Sequence, residues 1–158
     1  MASVQHRILI VLNGEPHVGA PDRELTRGVA MSYCELRRRG AETIFACDGG
    51  GFPPIAGHMR RFSEDPVVVR FLADHIARSD IADALSIEQI VVDDFDFAAF
   101  FLTDAADLGA ASALKWAFLD QGKPVVLLHG SPSSQLLPET GIIRSSATDL
   151  EWIGQLLP

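Results

Sequence analysis

Cysteine is scarce in this sequence: Cys34 and Cys47 are the two in 158 residues. Two thiols cannot form a disulfide framework, so the chain is not a stapled secreted mini-domain. Positive charge is also in deficit. Thirteen Lys and Arg stand against 21 Asp and Glu, a formal net charge of −8. That balance argues against nucleic acid and against an anionic membrane surface as partners, since both need a cationic face. Long apolar runs are missing too. The most obvious, Ile8–Leu12, Phe97–Leu102 and Val125–Leu128, fall far short of the roughly 20 residues of a membrane span. Near the N-terminus Arg7 precedes only Ile8–Leu12, too short a run for a signal-peptide core. The expectation is a cytoplasmic protein in a reducing setting.

Hydrophobic residues make up 47% of the chain. A length near the usual size of one domain predicts a single α/β unit over residues 1–158, large enough to bury a full core. Arg7–Asn13 is a continuous apolar run closed by a turn signal at Asn13-Gly14-Glu15-Pro16, which suits a strand buried on both faces. Asp22 to Arg39 is helical in pattern, with Leu25, Val29, Met31 or Ser32, and Leu36 at three-to-four spacing. Arg37–Arg39 stand in its last turn and Gly40 stops it. Thr43–Cys47 is a second strand, ended by Asp48-Gly49-Gly50-Gly51, and Phe52-Pro53-Pro54 reads as a loop.

Pro66 to His75 reads as one helix with Pro66 in its first turn. Ile81–Leu85 reads as a further helical turn, and Ile87–Val92 fits either helix or strand. Ala98–Leu102 is a buried strand, Ala105–Asp120 a helix and Pro124–His129 the clearest later strand. Ser145 or Thr148 is placed to cap a final helix through Leu157. The alternation predicts a doubly wound, mostly parallel sheet flanked by helices, a flavodoxin-like three-layer sandwich with its ligand at the carboxyl ends of the strands.

The strand ends carry no familiar phosphate loop. Asn13-Gly14-Glu15-Pro16 is neither GxGxxG nor GxxxxGK[ST]. The glycines at 49–51 follow the second strand, the wrong place for a dinucleotide pyrophosphate. A GxSxG hydrolase elbow is absent. Asn13-Gly14 and His129-Gly130 stand where a response-regulator receiver needs acids and a lysine. No cofactor fingerprint is visible. Asp93, Asp94 and Asp96 lack a further ligand at metal spacing and read as turn or helix caps. His6, His17, His58 and His75 show no mutual metal spacing either.

The segment Val125–Pro132, with its surroundings, resembles the ThiJ/PfpI superfamily (the DJ-one family), which has a class I glutamine amidotransferase-like fold. Arg7–Leu12 is similar to that family's first strand, and Pro21-Asp22-Arg23-Glu24-Leu25 to the segment delivering its glutamate. Ala46-Cys47-Asp48-Gly49-Gly50 with Pro54-Ile55 is similar to its double-glycine turn. Asp93–Phe100 is similar to its Asp-Tyr-Asp-Ala lead-in to a strand, and Gly122-Lys123-Pro124 with His129-Gly130 to its approach to a Cys-His-Gly elbow. The stretch from Ser63 to Val92 looks most like the heat-shock chaperone and glyoxalase III branch. The resemblance implies a homodimer and a small-molecule substrate or ligand.

Departures from the pattern bear on the chemistry. The family's nucleophilic cysteine falls at Leu128, which has neither nucleophile nor titratable proton. Its Pro-Gly-Gly oxyanion turn falls near Phe101-Leu102-Thr103-Asp104, without either glycine. Glu24 is either a surface acid favoured by the helix dipole or, as the resemblance implies, a pocket carboxylate able to act as acid or base. His129 is either a histidine satisfied within a turn or a proton shuttle. Asp104 is a loop acid or a partner of His129. Asn13, Gly14, Glu15, Thr103, Leu128 and Gly130 would line the opening. Ser131, Ser133 and Ser134 read as caps rather than replacement nucleophiles. Cys34 and Cys47 read as small buried apolar residues, Cys47 lying nearer the pocket.

The first functional expectation is a cysteine-independent, cofactor-free enzyme of lyase, hydratase or isomerase type. It would use Glu24, assisted by His129 or Asp104, for proton transfer. The second is a non-catalytic ligand-binding or chaperone-like protein, favoured if Leu128, Phe101 and Leu102 fill the pocket. The third is a glyoxalase-type activity carried by Cys47.

Overall fold

The computed structural model describes residues 4–13, 23–62, 64–102, 111–129 and 141–157. Within them the elements run β1 (Arg7–Asn13), α1 (Arg23–Arg38), β2 (Glu42–Cys47), α2 (Pro54–Met59), α3 (Pro66–Ala73), α4 (His75–Ala82), β3 (Leu85–Ser86), β4 (Phe97–Leu102), α5 (Ala111–Asp120), β5 (Val125–His129), β6 (Ile142–Ser146) and α6 (Glu151–Leu156). Short 3₁₀ turns occupy Arg60–Phe62, Ile87–Gln89 and Val92–Asp94.

The strands form one sheet in the order β3-β2-β1-β4-β5-β6, with every pair parallel. Apart from the two-residue edge strand β3, the order is that of a flavodoxin-like sheet. Every residue of β4 and of β5 is buried, as a parallel sheet covered on both faces requires. Alternation divides the core. Ile8, Ile10, Phe101, Val126 and Leu128 join the cluster under α1, α3, α4 and α6. Leu9, Val11, Phe100, Leu102 and Leu127 join the opposite cluster under α5 and the 3₁₀ turns. The flanked, three-layer α/β architecture expected from the sequence is therefore the one observed.

Helix α1 packs through Leu25, Val29, Ser32, Tyr33 and Leu36, so Ser32 and not Met31 completes the buried stripe. Gly28 lets α1 approach the chain after β6: a Cβ there would lie 2.1 Å from the Ala147 carbonyl oxygen. At the end of β2, Gly49, Gly50 and Gly51 all have positive φ, and the Gly51 N–H donates to the Ala84 carbonyl at 2.8 Å. The glycine run thus seats β3 beside β2, a turn that side chains would strain.

Several local expectations are corrected. The helix expected over Pro66 to His75 is broken at Asp74, whose carboxylate accepts from the N–H groups of Ile76 and Ala77 and so starts α4. Leu85 lies in a strand rather than a helical turn. Pro54 opens α2 within the stretch read as loop. Strand β6 was not anticipated, and Ser145 belongs to it rather than to a cap; Asp149 accepts from the Glu151 N–H at the start of α6. The expected helix from Ala105 is seen from Ala111 onward, and residues 105–110 lie outside the described residues. No helix among the described residues is long and apolar enough to cross a membrane.

Candidate functional site

The chain leaves β1 toward β2 and returns to β4 on the other side of β1, so the order reverses between β1 and β4. Ligands of such sheets sit outside the carboxyl ends of the strands at this reversal. Asn13 pairs with Leu102 across it, and Leu102 with His129 on the next strand. The sequence thus places its candidate strand ends side by side. Gly14, Glu15, Thr103, Asp104, Gly130, Ser131, Ser133 and Ser134 lie outside the described residues, as does His17.

Leu128 does not face an opening. It is wholly buried in the α1-side core with Phe101 and Val126. Leu102 is buried on the opposite side. His129 follows Leu128 and is also buried, at 6% exposure. Neither ring nitrogen has a hydrogen-bond partner among the described residues. Burial pushes its pKa below the ordinary histidine value, and the positive charge of Arg144 pushes the same way. Arg144 is registered with Leu127, the residue two before His129, so both belong to the α5-side face by alternation.

Glu24 sits in the first turn of α1 and is exposed. Of the two positions open to this carboxylate, the structure has the surface one: α1 turns Leu25, Thr26 and Gly28 inward and leaves Glu24 outside. Its Oε2 accepts from the Thr148 hydroxyl at 3.4 Å. The neighbouring Ala147 N–H donates to the His129 carbonyl at 2.8 Å. Residues 147–148 therefore bring the backbone of His129 and the side chain of Glu24 to one corner. The two side chains share that edge but not a face, because α1 covers the Leu128 side of the sheet.

Asp149 is a corner residue that the sequence reading missed. Its Oδ2 accepts from the Ser145 hydroxyl at 2.6 Å and its Oδ1 from the Glu151 N–H at 2.9 Å. The Ser145 bond, then the Glu151 bond, hold its pKa below the ordinary carboxylate value. The signal was present as a polar run, Ser145 to Asp149, before an apolar helix.

Cys47 is buried at the end of β2, with its thiol directed at the Gly51 carbonyl oxygen at 3.7 Å. Burial pushes its pKa up, and Asp48 adds to this against a lowering backbone hydrogen bond from Gly50. A neutral buried thiol is a poor nucleophile. Cys34 is half-buried on α1 and its pKa is likewise raised, chiefly by burial. Asp96 caps the start of β1, accepting from the Arg7 N–H at 2.8 Å, with His6 Nδ1 3.5 Å away. No group of three or more His, Cys, Asp or Glu side chains able to hold a metal occurs among the described residues.

No family model matches the chain, and no curated protein matches it. Solved structures do resemble it. The 24 kDa rapid encystment protein of Francisella tularensis aligns with a TM-score of 0.62 at 15% identity, over 80% of this chain and 60% of that one. This chain therefore spans less than two thirds of the length of that relative. A molybdenum cofactor binding protein from Rippkaea orientalis aligns with a TM-score of 0.52 at 16% identity, over 99% of this chain and 100% of that one. An isoprenoid biosynthesis protein with an amidotransferase-like domain from Ehrlichia chaffeensis aligns with a TM-score of 0.45 at 14% identity, over 77% and 62%. Identities this low relate folds and leave activities open. What the chain shares with the Francisella tularensis and Rippkaea orientalis structures is the fold, a parallel sheet flanked by helices.

Proposed function

We propose that this chain binds a small polar molecule at the carboxyl edge of its sheet, beside β5, and works there without a nucleophile. One observation carries the reading: His129 is a buried imidazole at a strand end with both nitrogens unpartnered among the described residues. A buried polar group left unpaired costs about 1–3 kcal/mol, which a hydrogen-bonding ligand would return. A neutral imidazole offers one donor and one acceptor. The two point away from opposite edges of the ring, so a small polar compound would pair with one of them through an O–H or a C=O group, as a hydroxy acid or hydroxy ketone can. Leu128 and Phe101, packed into the core, supply no reacting group. The neighbour from Rippkaea orientalis is by name a binding protein, which accords with this reading at the level of fold analogy.

A second reading is proton transfer on such a compound, in a lyase-, hydratase- or isomerase-type step. It is favoured by the lowered pKa of His129, which keeps the ring neutral and able to accept a proton. Glu24 would then act from the exposed side of the same corner, assisted by Asp104, two residues beyond the end of β4 in the sequence. Glyoxalase chemistry at Cys47 has no support from its raised pKa. A homodimer, implied by the resemblance, and a cytoplasmic setting, expected from composition, belong to the same proposal.

The test is nitrogen-15 NMR of the His129 ring while small hydroxy acids, hydroxy ketones and 2-oxoaldehydes are added, with each compound assayed for turnover. Binding predicts a compound that shifts the His129 nitrogens, is not consumed, and is lost in His129→Phe. Consumption that Glu24→Gln or His129→Phe abolishes supports proton transfer instead. If no compound moves the His129 ring, the carboxyl-edge site is refuted.

A further inference from the structure

A cavity of about 340 Å³ opens between α2, α3 and α4, lined by none of the residues of the His129 corner. We infer that it is a second binding site, for a small organic anion with an apolar body. Its floor is apolar: Met59 is wholly buried, Ala56 and Ile81 nearly so, and Leu72 is half-buried. Phe52, at the rim, leaves 56% of its surface in water. The volume lies at the lower end of the roughly 300–1,000 Å³ typical of small-molecule sites.

The charge of the rim selects the ligand. Arg60 and Arg78 both line the cavity and are exposed. Neither makes an ion pair among the described residues, although the chain carries a net charge of −8. Arg7, Arg27, Arg37, Arg38 and Arg39, by contrast, are each matched to a carboxylate. The acids nearest in sequence to Arg78 are engaged elsewhere: Asp74 holds Arg37, and Asp80 accepts from the Tyr33 hydroxyl. Two guanidinium groups left over an apolar hollow favour a carboxylate, sulfonate or phosphate head on a short hydrocarbon or aromatic body. An organic cation would be repelled. An inorganic anion would leave the floor wet, and a purely apolar molecule would leave both arginines without a partner.

Octanoate is the probe. The chain has three methionines, so methyl carbon-13 labelling reports Met59 as one of three signals. The expected result is a saturable shift of the Met59 methyl by octanoate, with acetate and hexanol far weaker. Arg60→Gln/Arg78→Gln should weaken octanoate about tenfold or more, the loss of one or two charge-assisted bonds. Ala82→Phe, at the cavity wall, should block it; if that variant does not fold, the arginine variant decides alone. His129→Phe should leave octanoate binding unchanged, which separates this site from the carboxyl edge. Octanoate binding without a Met59 shift, equal affinity in the arginine variant, or acetate binding as tightly as octanoate would each overturn the inference.

Discussion

Alanine at Gly28 would test how α1 is held against the end of the sheet. In an ordinary helix interior, Gly→Ala gains about 1 kcal/mol of helix propensity. At Gly28 the added Cβ would meet the Ala147 carbonyl oxygen at 2.1 Å and the carbonyl carbon at 2.5 Å. Carbon atoms in contact rest at about 3.5–4.0 Å, so one backbone must move by more than ~1 Å. Ala147 is poorly placed to yield, being 1% exposed with its N–H bonded to the His129 carbonyl. Overpacking of this kind costs about 1–3 kcal/mol, and contact with backbone puts it at the upper end. Subtracting the propensity gain leaves a net loss of about 2 kcal/mol, or roughly 4–8 °C in Tm for a chain of this size.

Two other helical glycines provide controls. A Cβ at Gly154 would meet only the Arg39 guanidinium at 3.8 Å, and one at Gly57 only the edge of Phe52 at 3.9 Å. Alanine at either should be neutral or stabilising by up to ~1 kcal/mol. Urea and thermal melts followed by circular dichroism measure all three variants. A Gly28→Ala protein as stable as the parent would refute the close approach of α1 to Ala147, and with it the corner that joins Glu24 to His129.

Four further outcomes are expected. His129 is held below its ordinary pKa, so on acidification the unfolded chain takes up its proton first. The stability from keeping the ring neutral is full above about pH 6.5 and falls as pH drops through that value toward the folded pKa. The parent should therefore lose more Tm than His129→Gln between about pH 8 and about pH 5, and parallel curves would contradict this. Tyr33→Phe keeps the ring contacts with Phe45 and Phe71 but removes the 2.6 Å bond to Asp80; a loss of about 1–3 kcal/mol in urea unfolding is expected. Leu128→Ala should cost about 2–5 kcal/mol as a core truncation, and a loss under ~1 kcal/mol would mean that Leu128 faces an opening after all. Iodoacetamide should modify Cys47 slowly in the native protein and quickly in urea, scored by mass spectrometry; fast native labelling would restore a reactive thiol at the end of β2.

Where a sequence signal was local, it was readable. The apolar runs at β1, β4 and β5 announced strands buried on both faces. Gly40, at φ +82°, ends α1 as its left-handed position demands. The elements that escaped depend on partners distant in the chain. Strand β6, Ile-Ile-Arg-Ser-Ser, is half-exposed and short of apolar residues, and it exists because β5 supplies a parallel edge. Strand β3 has two residues and owes its place to the glycine turn at 49–51. The break at Asp74 was hidden because an acid in mid-helix and an acid starting a new helix look alike until its backbone partners are seen. The same reason limited the site. Proximity of strand ends followed from topology, whereas the exposure of Glu24 depends on which face α1 turns inward.

Leucine at position 128 has a consequence beyond offering no nucleophile. In a strand, one residue is the distance between the two faces of the sheet. A polar side chain at position 128 would face α1 and the Glu24 side; Leu128 instead carries the hydrophobic core up to the end of β5 on that side. The next side chain, His129, faces the α5 layer with Arg144, and its ring nitrogens are buried there without partners among the described residues. Leucine at position 128 therefore does more than withhold a reactive group. It dries one face of the edge and leaves its buried hydrogen-bonding capacity on the other. A ligand held by His129 would approach from the α5 side. Glu24 could join it only around the carboxyl end of β5, which is why binding is the stronger reading and a direct Glu24–His129 relay the weaker one.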